Sequence, residues 1–223
     1  MPWIGAEYNF ASTFSYRLPD FSSSYALSAP IPSPSTIKLA LVSGIISRKG
    51  NIERGKQLFE QIRTVKVTTE LPDRIATFKC FIKRLKKKRQ GKGFEPTFGI
   101  REYIIYNGPL RIFLNVSNQV MDDVKDALKA VSYLGTSDSL CTCTEFNIRE
   151  PLWNKCPQLY DSEHGKEGIL FMLTEFTNEV AFENVNPYSE VRMIKGKHIV
   201  TKPYLFPIHI MTKESNYVIY ETN

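Results

Sequence analysis

KRLKKKRQGK, residues 83–92, puts seven basic residues in ten positions with no acid among them. The chain of 223 residues has 29 Lys plus Arg against 23 Asp plus Glu. Without those seven, 22 bases face 23 acids, so nearly all of the net charge of +6 lies in this one segment. Runs rich in β-branched and aromatic residues flank it, RIATFKCFI (74–82) before and IREYIIY (100–106) after. They predict a long β-hairpin whose tip and upper edges carry the charge, with Gly91 and Gly93 easing the turn. A basic projection on a nearly neutral body is the electrostatic footprint of a polyanion partner, most often nucleic acid. A solvated loop that only aids solubility has the same composition, and that reading stays open beside it.

Before this stretch, WIGAEYNFASTFSY (3–16) alternates apolar or aromatic with small polar residues, which predicts a first strand with one buried face. Residues 17–28 read as an ordered loop. In APIPSPST (29–36), Ser33 is placed to cap a helix with Pro34 in its first turn. The run 37–46 that follows is apolar almost all round, so this helix is buried. Its N-terminus, with Ser33, Ser35, Thr36 and free amides, has the chemistry to hold a phosphate, although capping explains the same serines. Asn51 caps a second helix over 52–63, and VKVTTEL (65–71) is strand-like.

After the hairpin, Asn107-Gly108-Pro109 reads as a tight turn joining 100–106 to a strand over 110–116. Ser117 opens a helix over 118–131 with Val120, Val124, Ala127, Leu128 and Val131 on one face. Residues 133–139 break out of it, and LCTCTEFNI (140–148) alternates as a strand. From residue 150 the character changes. Residues 151–166 are loop-like, GILFMLTEF (168–176) is a strongly apolar strand, and 191–194, 198–201, 208–211 and 217–220 are short β candidates. These readings give an α+β protein with two domains. Residues 1–150 form a ferredoxin-like (RRM-like) sandwich bearing the hairpin at about 78–103, and 151–223 form a smaller β-rich lobe.

Fourteen Phe and eleven Tyr are a surplus that serves either a core or base stacking on an RNA-binding face. No segment approaches the roughly 20 apolar residues of a membrane span, and the N-terminus has no secretory pattern. The expectation is a cytoplasmic protein without a membrane partner. Cys80, Cys141, Cys143 and Cys156 lack the paired spacing of a zinc site and are expected to be reduced and structural. No Gly-rich phosphate loop, paired carboxylate site or Ser-His-Asp arrangement stands out. The chain is expected to need no cofactor and no metal.

Several stretches together resemble the CRISPR-associated Cas-five family of the RAMP superfamily. They are FSYR (14–17), PIPSPSTI (30–37), REYIIY (101–106), GPLRIF (108–113) and YLGTSDS (133–139), in that order, with a basic hairpin among them. The resemblance covers most of residues 8–148 and is thin after Glu150. It implies a subunit of a type I CRISPR surveillance complex (Cascade) that grips the 5′ handle of the CRISPR RNA and caps the filament of Cas-seven-type backbone subunits. It also implies contact with the large subunit and, indirectly, target DNA, in antiviral defence. The family has an RRM-like palm and a β-hairpin thumb, and residues 83–92 sit where the thumb would be.

RNA gripping needs cations for phosphates and aromatic faces for unstacked bases. The hairpin candidates are Lys83, Arg84, Lys86, Lys87, Lys88, Arg89 and Lys92. Phe94 and Phe98 are placed to stack on bases or to pack on a neighbouring subunit. At the palm the candidates are Arg17, Ser33, Ser35, Thr36 and Lys38. One branch of the family cuts precursor RNA with a set that includes Tyr, Lys and His, and such cleavage needs a general base and acid. This chain has only His164, His198 and His209, all after residue 150, and His198 beside Lys195 and Lys197 is the best placed. The expectation is therefore a non-catalytic subunit. A metal-independent endoribonuclease and a ribosomal-type RNA-binding protein are the alternatives.

Overall fold

The computed structural model describes residues 1–19, 21–22, 24–161 and 167–223. The first strand, β1 (Trp3–Phe10), buries Ile4, Ala6 and Tyr8. It is shorter than the predicted 3–16, because the ladder ends at Phe10 and only a single bridge, Phe14 to Ile104, continues it. A two-residue strand, β2 (Tyr25–Ala26), precedes α1 (Pro34–Lys49). Helix α1 starts after Ser33 with Pro34 in its first turn, and ends at Gly50, whose φ of 62° suits glycine. Asn51 then caps α2 (Ile52–Ile62) through the amides of Glu53 and Arg54, as its sequence predicts, a contribution of about 1 kcal/mol.

The strands β3 (Val67–Glu70), β4 (Arg74–Lys87), β5 (Phe94–Tyr106) and β6 (Leu110–Asn115) follow, then α3 (Met121–Ala130) and β7 (Cys141–Asn147). The last part of the chain holds β8 (Gln158–Leu159), β9 (Ile169–Phe176), the single turn α4 (Phe182–Val185), β10 (Ile199–Phe206), β11 (Ile208–Lys213) and β12 (Tyr217–Thr222). These strands build three sheets, in the orders β3-β6-β1-β7, β8-β10-β9 and β11-β12-β4-β5-β2. The first is antiparallel throughout, and the molecule is mixed α+β.

Helix α1 lies at the centre, touching α2, α3 and β9. Its Ile37, Leu41, Val42 and Ile45 are buried, worth roughly 1.5–3 kcal/mol each. Gly44 allows α3 to come close, since an added Cβ there would stand 3.0 Å from the Ala130 carbonyl. On α3 the predicted apolar stripe is the buried one, with Val124, Ala127 and Leu128 fully enclosed. The helix itself begins at Met121, because the carbonyls of Ser117 and Asn118 are taken by turns to Val120 and Met121.

Four expectations are corrected. The Asn107-Gly108-Pro109 turn does not close a hairpin, since β5 and β6 belong to different sheets. Strand β6 has both edges taken, by β1 and β3, and the turn carries the chain from one sheet to the other. Residues 151–223 are not a separate lobe. Strand β12 pairs with β4 in the hairpin's own sheet, and Leu173, Phe176, Phe182 and Phe206 enter the main core. Phe59 of α2 meets Phe176 and Phe182 edge-on, with centroids 5.6 and 6.0 Å apart. Residues 191–194 form no strand, whereas 202–206 do. Pro203 lies within β10 and has no N–H to give the ladder, while its carbonyl accepts the Tyr160 amide. The predicted loop 151–166 contains β8, and its residues 162–166 lie outside the described residues.

Candidate nucleic-acid interface

The hairpin is longer than its flanking runs suggested. Strands β4 and β5 pair from Ile75 opposite Tyr106 to Lys87 opposite Phe94, about 40 Å at strand rise. Beyond Lys79, whose amide still donates to the Asn216 carbonyl, and Ile100, where β2 begins, the two strands pair with no other strand. Roughly 20–25 Å of two-stranded ribbon therefore stands alone. Residues 88–93 close the tip, where Gly91 and Gly93 adopt φ of 78° and 103° and Lys88 donates to the Gly93 carbonyl at 3.1 Å.

Because Lys83, Arg84, Lys86 and Lys87 are strand residues, pairing sorts them onto two faces. One face carries Phe81 opposite Ile100, Lys83 opposite Phe98, Leu85 opposite Pro96 and Lys87 opposite Phe94. Phe81, Leu85, Phe94 and Phe98 on it are 55–70% exposed. Phe81 stacks on Phe98 with centroids 5.5 Å apart, and Lys83 Nζ lies 5.9 Å from the Phe98 ring. This face continues the core side of the sheet, where Ile75 and Ile104 are buried. The opposite face carries Cys80 opposite Arg101, Ile82 opposite Gly99, Arg84 opposite Thr97 and Lys86 opposite Glu95. There Arg84 and Arg101 flank a shallow pocket of about 60 Å³ floored by Gly99. Lys88, Arg89 and Lys92 are exposed at the tip. None of the seven basic residues of 83–92 has an ion-pair partner among the described residues. Their charge is left to solvent or to a ligand.

The root of the hairpin is a knot of short polar side chains. The Ser15 amide donates to Ser139 Oγ at 2.9 Å, and the Ser15 hydroxyl donates to the Glu102 carbonyl at 3.1 Å. Ser28 donates its hydroxyl to the same carbonyl at 2.6 Å and its amide to the Glu102 carboxylate at 2.9 Å. Burial pushes that carboxyl above its ordinary range, an effect partly offset by the Ser28 amide. The Tyr106 hydroxyl donates to the Pro30 carbonyl at 2.7 Å. Gly135, at φ of 80°, sits where an added Cβ would be 2.6 Å from the Ser15 carbonyl. Residues 14–17, 30–37, 101–106 and 133–139 thus converge here, while 108–113 runs through the interior strand β6. Arg17 is exposed at this root and bridges to Ser28.

The other palm candidates are placed differently. Ser33, Ser35 and Lys38 are 0%, 2% and 5% exposed. Ser33 Oγ makes no cap bond. It accepts instead the Tyr16 hydroxyl and the Thr174 amide, each at 3.0 Å. Ser35 and Thr174 share a 2.7 Å hydroxyl bond, and half-buried Thr36 donates to the Tyr16 hydroxyl at 2.9 Å. Lys38 Nζ donates to the Arg63 carbonyl at 2.8 Å, at the C-terminal end of α2. Burial lowers its pKa to about 8, with Glu175 raising it and Lys202 lowering it further. The start of α1 is closed over by β9, so Ser33, Ser35 and Lys38 leave the interface as a correction.

His198 is also interior, 7% exposed, and its Nδ1 accepts the Ile194 amide at 3.1 Å. His209 is exposed beside Asn223 and Glu221. His164 lies outside the described residues. The four cysteines are free thiols. Burial pushes Cys141 up to about 12 and Cys156 up to about 11, so both stay protonated and unreactive. Among the described residues no group of His, Cys, Asp and Glu is gathered to hold a metal, and no helix is long and apolar enough to cross a membrane.

No family model matches the chain. A CRISPR-associated protein Cas5 from Archaeoglobus fulgidus is 38% identical over 217 residues, 92% of this chain and 91% of the relative. The chain belongs to the Cas5 family. A chain of a solved CRISPR RNA-guided surveillance complex aligns over 92% of this one and 88% of its own length, at 15% identity and a TM-score of 0.50, a likeness of fold alone. A crystal structure of a CRISPR protein from Archaeoglobus fulgidus covers all of the chain and 92% of its own length, at 14% identity and a TM-score of 0.46.

Against the expectations for this Cas5 chain, the basic residues of 83–92 with Phe94 and Phe98 are brought onto one ribbon. Phe81, Leu85, Arg101 and Tyr25 were missed. The alternation Phe81, Lys83, Leu85, Lys87 was visible within 74–87. Arg101 and Tyr25 needed the register, which places Arg101 opposite Cys80 and Tyr25 beside Ile100, with Lys79 Nζ 5.8 Å from the Tyr25 ring.

Proposed function

We propose that this chain is a non-catalytic RNA-binding subunit of a type I CRISPR surveillance complex in the cytoplasm. It holds the 5′ handle of the CRISPR RNA and caps the filament of Cas-seven-type backbone subunits. In this reading the sheet β3-β6-β1-β7 with α1 and α3 is the ferredoxin-like palm, and β4–β5 is the thumb. The order strand, helix, strand, strand, helix, strand, laid out as β7-β1-β6-β3, supports it. The single observation that carries the proposal is the two-faced ribbon. Arg84, Lys86 and Arg101 on one face meet phosphates, and the exposed Phe81, Leu85, Phe94 and Phe98 on the other pack against the next subunit or a splayed base. The enclosure of His198, whose Nδ1 is occupied by a backbone amide, supports holding RNA without cutting it.

The test is co-purification with a tagged backbone subunit, followed by sequencing of the retained RNA. Uniform 5′ handles are expected, and are lost when the ribbon between Phe81 and Phe98 is shortened. Recovery of the chain alone, carrying no RNA, overturns the assignment. Incubation with precursor RNA without metal is expected to yield no product, and a product that disappears in His198→Ala would make the chain an endoribonuclease.

A further inference from the structure

A second cavity lies away from the hairpin, between the edge strand β3 and the small sheet β8-β10-β9. It measures about 570 Å³ and is walled by Lys66, Trp153, Leu159, Glu175, Lys202 and Tyr204, with no residue of β4 or β5. That volume lies within the roughly 300–1,000 Å³ of small-molecule sites and admits one nucleotide. Lys202 Nζ donates to Glu175 at 2.6 Å, and Glu175 also accepts the Tyr204 hydroxyl. Burial opposes the charge on Glu175, yet these two donors hold its carboxyl below the usual range. One carboxylate thus stands against two lysines, and Lys38 lies close enough to feel both Glu175 and Lys202. The cavity carries a surplus of positive charge. At its wall the Trp153 indole is 37% exposed, braced by Trp3 at 5.3 Å and covered by Lys66 Nζ at 5.0 Å.

We infer that this cavity binds a nucleoside phosphate, with the base against the Trp153 indole and the phosphate held by Lys66 and Lys202. A phosphate offers Lys66 a stronger partner than a ring face does, and so draws the ammonium off the indole that the base then covers. An aromatic platform beside two cations is the pairing that single nucleotides and single strands both satisfy. The ligand is therefore defined by chemistry, a nucleotide that is either free or one unit of a strand. The inference uses no hairpin residue and goes beyond the preceding reading.

The chain has two tryptophans, of which Trp153 lines this cavity and Trp3 packs against Trp153, so intrinsic fluorescence reads its occupancy. The full chain is titrated with adenosine 5′-monophosphate, uridine 5′-monophosphate, adenosine, inorganic phosphate and a single-stranded RNA octamer. Saturable quenching by the monophosphates is expected, with weaker responses to adenosine and to phosphate alone. Lys66→Gln, at an exposed site, is expected to weaken binding at least fivefold. The paired variant Lys202→Gln/Glu175→Gln, which keeps the local charge balance, is expected to do the same. An octamer binding tighter than the monophosphate through the same lysines identifies a strand as the source, and the reverse order identifies a free nucleotide. Quenching that never saturates, or that Lys66→Gln leaves unchanged, overturns the inference. Reversing Lys86, Lys87 and Lys88 to Glu leaves the monophosphate titration unchanged, which separates failure here from failure of the hairpin reading.

Discussion

The free end of the hairpin and the N-terminus of α1 carry similar chemistry, cations and hydroxyls suited to phosphate, and the fold uses them in opposite ways. On the ribbon, seven basic side chains have no ion-pair partner among the described residues. At α1, Ser33, Ser35 and Lys38 are buried, and their polar atoms are occupied by Tyr16, Thr174 and the Arg63 carbonyl. A polar group held by protein partners sustains the fold, whereas one left to solvent keeps its capacity for a ligand. Composition does not separate the two cases, but burial does.

The comparison breaks most sharply under charge reversal. Changing Lys86, Lys87 and Lys88 to Glu is expected to lower RNA affinity of the assembled complex about a thousandfold, roughly 4 kcal/mol, and to flatten its salt dependence. The melting temperature of the isolated chain is expected to stay put, since these side chains are exposed and form no ion pair among the described residues. An unchanged affinity, read by filter binding at two salt concentrations, would end the thumb assignment.

Lys38 sharpens the other side. Its folded pKa of about 8 lies below the ordinary 10.5, so between those values the unfolded chain binds the proton and the folded chain does not. Lys38 therefore opposes folding fully below pH 8, and this opposition fades as pH rises towards 10.5. Lys38→Met should be the more stable protein near neutrality, with an advantage on the order of 3 kcal/mol that shrinks across that window. Urea melts of both proteins at pH 7, 9 and 10.5 measure it. A constant difference would mean that Lys38 keeps its ordinary pKa, and so its charge, in the folded state.

Gly135→Ala tests the knot at the ribbon's root. It adds a Cβ 2.6 Å from the Ser15 carbonyl at a φ of 80°, and is expected to destabilise the chain by about 2 kcal/mol. RNA affinity measured well below the melting temperature should fall only where the ribbon loses its footing. Ser33→Ala should have the smallest effect. It strips the acceptor from the Tyr16 hydroxyl and the Thr174 amide, for about 1–2 kcal/mol of stability, and should leave RNA affinity within twofold. A larger loss of affinity than of stability would return the α1 N-terminus to the interface.

Much of the frame was legible because it rests on local rules. Asn51 reads as a cap because its side chain reaches amides two and three residues on, and the α3 stripe reads from its 3.6-residue period. The hairpin reads because its charge is confined to a single short segment. The Asn107-Gly108-Pro109 turn misled for the complementary reason. A turn reverses the chain, but whether the flanking strands then pair depends on which edges other strands have taken, and β1 and β3 already hold both edges of β6. The apparent break at residue 150 misled in the same way. Composition changes there, yet β12 finds its partner in β4, more than a hundred residues earlier.

The sequence by itself therefore determined which side chains are charged, which segments extend or coil, and where helices begin. These follow from propensities and periodicities that act over a few residues. Tertiary structure alone decided which charges remain available. It turned Ser33 and Lys38 inward beneath β9, divided Lys83 and Lys87 from Arg84 and Lys86 onto opposite faces, and brought Lys66 and Trp153 to the same cavity as Lys202. Burial and register are set by long-range packing of the whole chain, and no local window carries that information.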